Sequence, residues 1–198
     1  MNTLKRLFNP EIFQGVNKDK NYFEGYYFKL VDKEEKHSFA FISGIAFDKN
    51  KSGHSFIQWI DAENYNTEYF RFSEEDFEYS NNRFFVKIKE NEFSKNRLKI
   101  NLKNRDYQIS GNLVFSEIVN FDKNLLRPNI MGPFTFVPFI ECYHGIVNIS
   151  HQISGKLVIN GKEVDFTGMA ILKKTGVNLF QNLMFGCSQI TLKKVRHR

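Results

Sequence analysis

The stretch RLKINLK, Arg97–Lys103, alternates without a break: Leu98, Ile100 and Leu102 fall on one side, Lys99, Asn101 and Lys103 on the other. A period of two is the repeat of a half-buried strand and does not suit a helix. The same short pattern returns along the chain in YFEGYYFKLV, SFAFISGIAF, HSFIQWIDA, TEYFRF, RFFVKIKE, YQISGNLVF, HGIVNISHQI, SGKLVING and VDFTGMAI, with polar turns such as DKEEKH and DKNKSG between them. Regular short strands with polar turns predict an all-β barrel or sandwich. Asn160-Gly161, set between KLVI and KEVDF, predicts a tight hairpin. Only Glu74 to Tyr79 reads as a helical turn, and Ser116 to Pro138, with three prolines, reads as a long irregular loop of the kind that carries function.

The aromatic content narrows this further. The chain holds 22 Phe and 8 Tyr against 1 Trp. Such side chains favour strands and line apolar pockets. A barrel lined by rings and covered by one long loop is a container for a hydrophobic small molecule. The net charge of +6 is spread over Lys-rich turns. With no Arg stripe and no recognition helix, nucleic acid is not expected as a partner. A basic balance does permit peripheral contact with an anionic membrane surface. Cys142 and Cys187 are far apart and lack metal-site spacing, so neither a disulfide framework nor a metal site is expected. No signal-like stretch and no window of roughly 20 apolar residues is present, which predicts a soluble, cytoplasmic protein.

One segment breaks the apolar rule. GPFTFVPFIECYHGIV, residues 132–147, lodges Glu141, Tyr143 and His144 in the greasiest part of the chain. Burying a charge is costly unless it is paired or neutralised. Alternation places Glu141 and Tyr143 on one face and Cys142 and His144 on the other. One pair therefore faces the interior, and the residues leave open which. A buried structural network is the commoner use of such groups. Glu24 is equally open: an exposed carboxylate beside Lys29 or Lys20, or a functional acid, with Gly25 indicating a bulge or close backbone approach. His54 and His151 read as solvated residues at strand or turn ends.

Two blocks carry a family resemblance. YFEGYYFKL, Tyr22 to Leu30, followed by SFAFISGI, and MGPFTFVPFIECYHGIVNISHQISGKLVINGKEVDFTG, Met131 to Gly168, resemble the tocopherol cyclase family. The likeness runs from about Phe8 to Ala170. It implies a lipocalin-like (calycin) antiparallel barrel or open half-barrel, here the N-terminal half of a two-part fold. It also implies cyclisation of a prenylated hydroquinone without a cofactor. That reaction needs a proton donor at the alkene, an acceptor at the phenol, and a dry cavity with aromatic faces for a cation-like centre. On the resemblance, Glu24 and Glu141 are candidate acids and His144 the phenol-side partner. Tyr26, Tyr27, Phe136, Phe139 and Tyr143 are candidate substrate-binding residues. A non-catalytic isoprenoid carrier and a truncated, non-functional product stand as the alternatives.

The sequence departs from the family in having Tyr26 for Trp and Ile140 for Met, and above all after Ala170. There the family continues with a GYIEKDWG block, whereas this chain reads ILKKTGV. Reverse-translated with A/T-leaning codons and given one extra T before Ile171, the same bases read Tyr-Ile-Glu-Lys-Asp-Trp-Gly and on to Gln-Ser-Asn-His-Phe. The expectation is a one-nucleotide deletion beside Ala170. Residues 1–170 would then form an incomplete cyclase-like β-domain and residues 171–198 an out-of-frame tail.

Overall fold

The computed structural model describes residue 9 and residues 11–120 and 142–177. Eleven strands follow in chain order: β1 (Tyr22–Asp32), β2 (Ser38–Phe47), β3 (Gly53–Asp61), β4 (Asn66–Phe72), β5 (Phe77–Tyr79), β6 (Phe85–Ile88), β7 (Asn91–Ser94), β8 (Arg97–Lys103), β9 (Gln108–Asn120), β10 (Cys142–Ile159) and β11 (Lys162–Val177). They form one antiparallel sheet in the order β4-β3-β2-β1-β11-β10-β9-β8-β7-β6-β5. The fold is all-β, as the period-two pattern predicts.

Connectivity forces this sheet to curl. Strands lie about 4.8 Å apart, so a flat 11-stranded sheet would hold its edges roughly 48 Å from each other. The edges here are β4 and β5, and the link from Phe72 to Phe77 spans at most about 18 Å. The link is a 3-10 turn, Glu74–Asp76, closed by a capping box between Ser73 and Asp76. The strands therefore wrap into an open, lipocalin-like half-barrel whose edges come near each other at the turn. The expected helical turn at Glu74 to Tyr79 is confined to those three residues, and Phe77–Tyr79 is strand.

The concave face is packed with rings from both flanks. Phe28 of β1 meets Phe93 of β7 and Phe115 of β9, with centroids 5.7 and 6.0 Å apart. Trp59 of β3 meets Tyr107 at 5.1 Å, and Phe39 of β2 meets Phe166 of β11 at 5.6 Å. Each such ring, removed from water, contributes about 2–3 kcal/mol. The alternation in β8 is as read: Leu98, Ile100 and Leu102 are buried while Arg97, Asn101 and Lys103 are exposed.

The convex face of β1–β4 is also aromatic. Phe56 stacks between Phe23 at 5.5 Å and Tyr69 at 5.2 Å, and is itself buried. Gly25 and Gly44 are register partners beneath this stack. A Cβ on Gly44 would meet the Glu24 carbonyl at 2.3 Å and Phe56 at 2.8 Å, so the rings need a glycine floor.

β10 and β11 join at Ile159 and Lys162 through Asn160 and Gly161, whose φ values are 49° and 81°. Both lie in the left-handed region that the Asn-Gly hairpin turn requires. Gly161→Ala is expected to cost about 1 kcal/mol. For a chain this size, that lowers the melting temperature by roughly 2–4 °C in calorimetry.

Two expectations change. β9 runs on to Asn120, so the irregular region does not begin at Ser116; from residue 121 the expected loop lies outside the described residues. HGIVNISHQI and SGKLVING are one long strand, β10, and not two. That places His151 in mid-strand at 1% exposure and not in solvent.

Candidate functional site

In a strand, residues two apart share a face. Tyr22, Glu24 and Tyr26 of β1 therefore project together into the concave side, and all three are buried. Glu24 is 0% exposed. It is the acceptor hub of the cluster. Oε1 accepts from the Tyr26 hydroxyl at 2.9 Å and from Lys174 Nζ at 2.7 Å. Oε2 accepts from the Tyr22 hydroxyl and, at 2.9 Å, from the Gln14 backbone N–H. Lys174 belongs to β11, and its register partner on β1 is Tyr26. Its ammonium also lies 5.3 Å from the centroid of the Tyr26 ring and donates to the Ile12 carbonyl at 2.5 Å.

This arrangement sets the charges. A carboxylate costs several kcal/mol to bury unless its lone pairs meet donors and a counter-charge. Glu24 has both. Every partner named here donates a hydrogen bond to Glu24, so the carboxyl group acts as the acceptor throughout. Tyr26 holds its proton firmly: burial first, then the neighbouring Glu24 charge, pushes its phenol well above the ordinary value. Glu24 is thus neither exposed nor beside Lys29 or Lys20, as one reading of the sequence had it. Its cation comes from β11.

The interior along β1 is apolar and holds unpartnered polar atoms, beside the cluster and farther along the strand. Ser43 Oγ is buried without a hydrogen-bond partner, in the cross-strand row of Tyr26. Trp59 Nε1 and both ring nitrogens of His151 are likewise buried and unpartnered. Burial lowers the His151 pKa to about 4, and the ring packs edge-on against Phe115 at 4.5 Å. A surface cavity of about 650 Å³, lined in part by Asp32, Glu117, Gln152 and Met169, lies near the opposite end of β1. Its polar rim is partly spent: the Gln152 side-chain amide donates to Glu117, and Asp32 accepts from the His37 N–H.

The expected site residues separate. Glu24 and Tyr26 come together. Tyr27 lies on the convex face, half-buried, its phenol pushed up by burial. Tyr143 and His144 lie on β10, where Tyr143 is the register partner of Gly176, itself paired with Glu24. That row sets the Tyr143 backbone two strands from Glu24, about 10 Å. Glu141, Phe136 and Phe139 lie outside the described residues. His54 is half-buried and hydrogen-bonded to the Tyr69 hydroxyl at 2.7 Å, not freely solvated. Sequence reasoning missed Tyr22, Gln14 and Lys174. The YxExY spacing could have found Tyr22, and an inward run Ala170, Leu172, Lys174 could have found the lysine. Among the described residues no group of His, Cys, Asp and Glu is placed to hold a metal, and no helix is long and apolar enough to cross a membrane.

No protein-family model and no curated protein matches the chain. Solved structures do. A protein named AttH (NE1406) from Nitrosomonas europaea superposes with a TM-score of 0.50 at 15% identity, over 84% of this chain and 55% of that one. CghA in complex with Sch210972 gives a TM-score of 0.47 at 8% identity, over 81% of this chain and 47% of that one. The chain thus spans about half the length of these structures. At such identities the likeness to AttH establishes the fold alone.

Proposed function

We propose that this chain is the β-domain of a tocopherol-cyclase-like protein that takes a prenylated hydroquinone and closes it to a chromanol. The observation that carries this reading is the Glu24–Tyr22–Tyr26–Lys174 cluster, a single hydrogen-bonded ionic centre set into an aromatic, water-excluding interior. In the reaction a proton adds to the prenyl alkene, the phenol oxygen bonds to the resulting cation-like carbon, and the phenol proton leaves to a base. Atoms and electrons balance, and no oxidant is consumed. Glu24, ringed by donors, suits the acceptor side at the phenol. Glu141 is then the acid and His144 the phenol-side partner. Tyr26 and the neighbouring rings shelter the cation. Tyr27, on the convex face, would contribute as wall. Tyr143, Phe136 and Phe139 would contact the substrate tail.

A second reading, a non-catalytic isoprenoid carrier, is favoured by one feature: the cluster is already fully paired and closed by residues 12–14. The proposal includes a one-nucleotide deletion beside Ala170. The inward positions 170, 172 and 174 read Ala, Leu, Lys here and would read Ala, Ile, Lys in the restored frame. The buried side of β11 is nearly the same either way, so the strand pairs with β1 under both. Resequencing the gene across Ala170 is expected to find the missing base.

Trp59 is the only tryptophan and is 1% exposed, so its emission reports on the interior. Titration with a prenylated hydroquinone is expected to change that emission saturably at micromolar concentrations. Chromanol is expected to form, measured by mass-resolved chromatography, once the frame is restored. Saturation without product would leave the carrier reading. No change up to about 100 µM would sink both, since that corresponds to binding weaker than about −5.5 kcal/mol.

A further inference from the structure

Residues 11–16 belong to no strand, yet Ile12 and Phe13 are only 2% and 4% exposed. Three contacts fix their path. The Gln14 N–H donates to Glu24 on β1, and the Ile12 carbonyl accepts from Lys174 on β11. Phe13 lies against Phe77 and Tyr79 of β5, at 5.2 and 4.4 Å. β1 is central in the sheet and β5 is an edge. One short segment that touches both crosses the mouth of the curl. Beneath it lie Tyr26, stacked on Phe84 at 4.5 Å, and the unpartnered Ser43 hydroxyl.

We propose that residues 11–16 are a strap that opens over the interior, that Glu24 and Lys174 are its latch, and that the opened site binds an amphiphile with an apolar tail and a hydroxyl head. The assignment rests on the reading of the Glu24 cluster as a ligand site. Segments outside a hydrogen-bonded ladder open more readily than the sheet they cover. The strap's own backbone bonds are local turns, Ile12 N–H to Asn9 and Lys18 N–H to Gly15. Opening leaves the latch intact, because Glu24 keeps Tyr22, Tyr26 and Lys174. Among the contacts named here, it removes a donor to Glu24, the Gln14 N–H, and an acceptor from Lys174, the Ile12 carbonyl. A single hydroxyl offers that same pair: its O–H donates to Glu24 while its lone pair accepts from Lys174. The tail takes the place of the Phe13 side chain against Phe77 and Tyr79. A carboxylate head fits worse, since it would bring a second negative charge to Glu24.

Hydrogen exchange on the full chain, read by mass spectrometry, tests this without turnover. Amides of residues 11–16 are expected to exchange at least about tenfold faster, relative to their intrinsic rates, than those of β8. Phe13→Ala is expected to widen that ratio by a further factor of about ten or more. A long-chain alkylphenol is expected to speed exchange in residues 11–16 and leave β8 unchanged, and the matching alkylbenzene to do nothing. Equal exchange of the strap and β8 would overturn the strap. Early exchange with no alkylphenol effect would overturn the hydroxyl-ligand assignment. If the alkylphenol acts but no prenylated hydroquinone is turned over, the cyclase reading fails alone.

Discussion

Glu24→Ala is expected to destabilise the protein by about 3–5 kcal/mol, which is the usual cost of breaking a buried ion pair by removing one partner. The loss comes less from missing attraction than from what remains. Lys174 would keep its charge at 6% side-chain exposure while losing its ion pair with Glu24. The hydroxyls of Tyr22 and Tyr26 would lose their acceptor as well. Since whole domains are stable by about 5–15 kcal/mol, this is about a fifth or more of the total. Urea unfolding followed by circular dichroism gives the number. Replacing both charges, Glu24→Gln with Lys174→Met, is expected to recover at least half of it, because no uncompensated charge stays inside. A Glu24→Ala variant within about 1 kcal/mol of the parent would mean that water reaches the pair, and the cluster could not then be a dry centre for carbocation chemistry.

The second large effect is acid sensitivity at His151. Its folded pKa is about 4 against an ordinary 6.5, and the cause is burial. The unfolded chain therefore binds a proton at a higher pH than the folded one does. Between pH 6.5 and 4 the unfolded state holds more protons, so stability falls as pH falls through that window and levels off below it. At about 1.36 kcal/mol per pKa unit, the His151 contribution to this fall is about 3 kcal/mol. Carboxylates ordinarily titrate just below and into this range, so the test is a difference. His151→Leu removes two unpartnered nitrogens and keeps an apolar side chain beside Phe115. The variant is expected to match or exceed the parent above pH 7 and to gain on it steadily below pH 6.5, in urea titrations at half-unit steps. Parallel curves for the two proteins would show that His151 takes up its proton without cost, and hence has water or an acceptor in the folded state.

Much of the fold was legible because its causes are local. Leu98, Ile100 and Leu102 face inward because side chains alternate along any strand. Asn160-Gly161 turns because only such residues accept two successive left-handed positions cheaply. The candidate site was only half legible. The pairing of Glu24 with Tyr26 follows from i, i+2 spacing, but the lysine that neutralises Glu24 sits at the far end of the described chain. It lay in a segment where the comparison with the family ran out. His151 was misjudged for a related reason. Two short patterns met at Ser154-Gly155 and looked like two strands with a histidine at the end of the first. In the folded chain β9 and β11 flank that stretch on both sides and draw it into one strand, with the imidazole facing the core.

The sequence by itself determined the all-β character, the hairpin, the inward face of β8 and the aromatic character of the interior, since these depend on residues within a few positions of one another. The tertiary structure alone decided that β1 pairs with β11, that Lys174 meets Glu24, and that residues 12–14 reach from β1 to β5. Those contacts join segments whose spacing in the chain says nothing about their spacing in space. They are selected by which registers bury the most rings and leave the fewest charges unpaired, a choice made by the whole sheet at once.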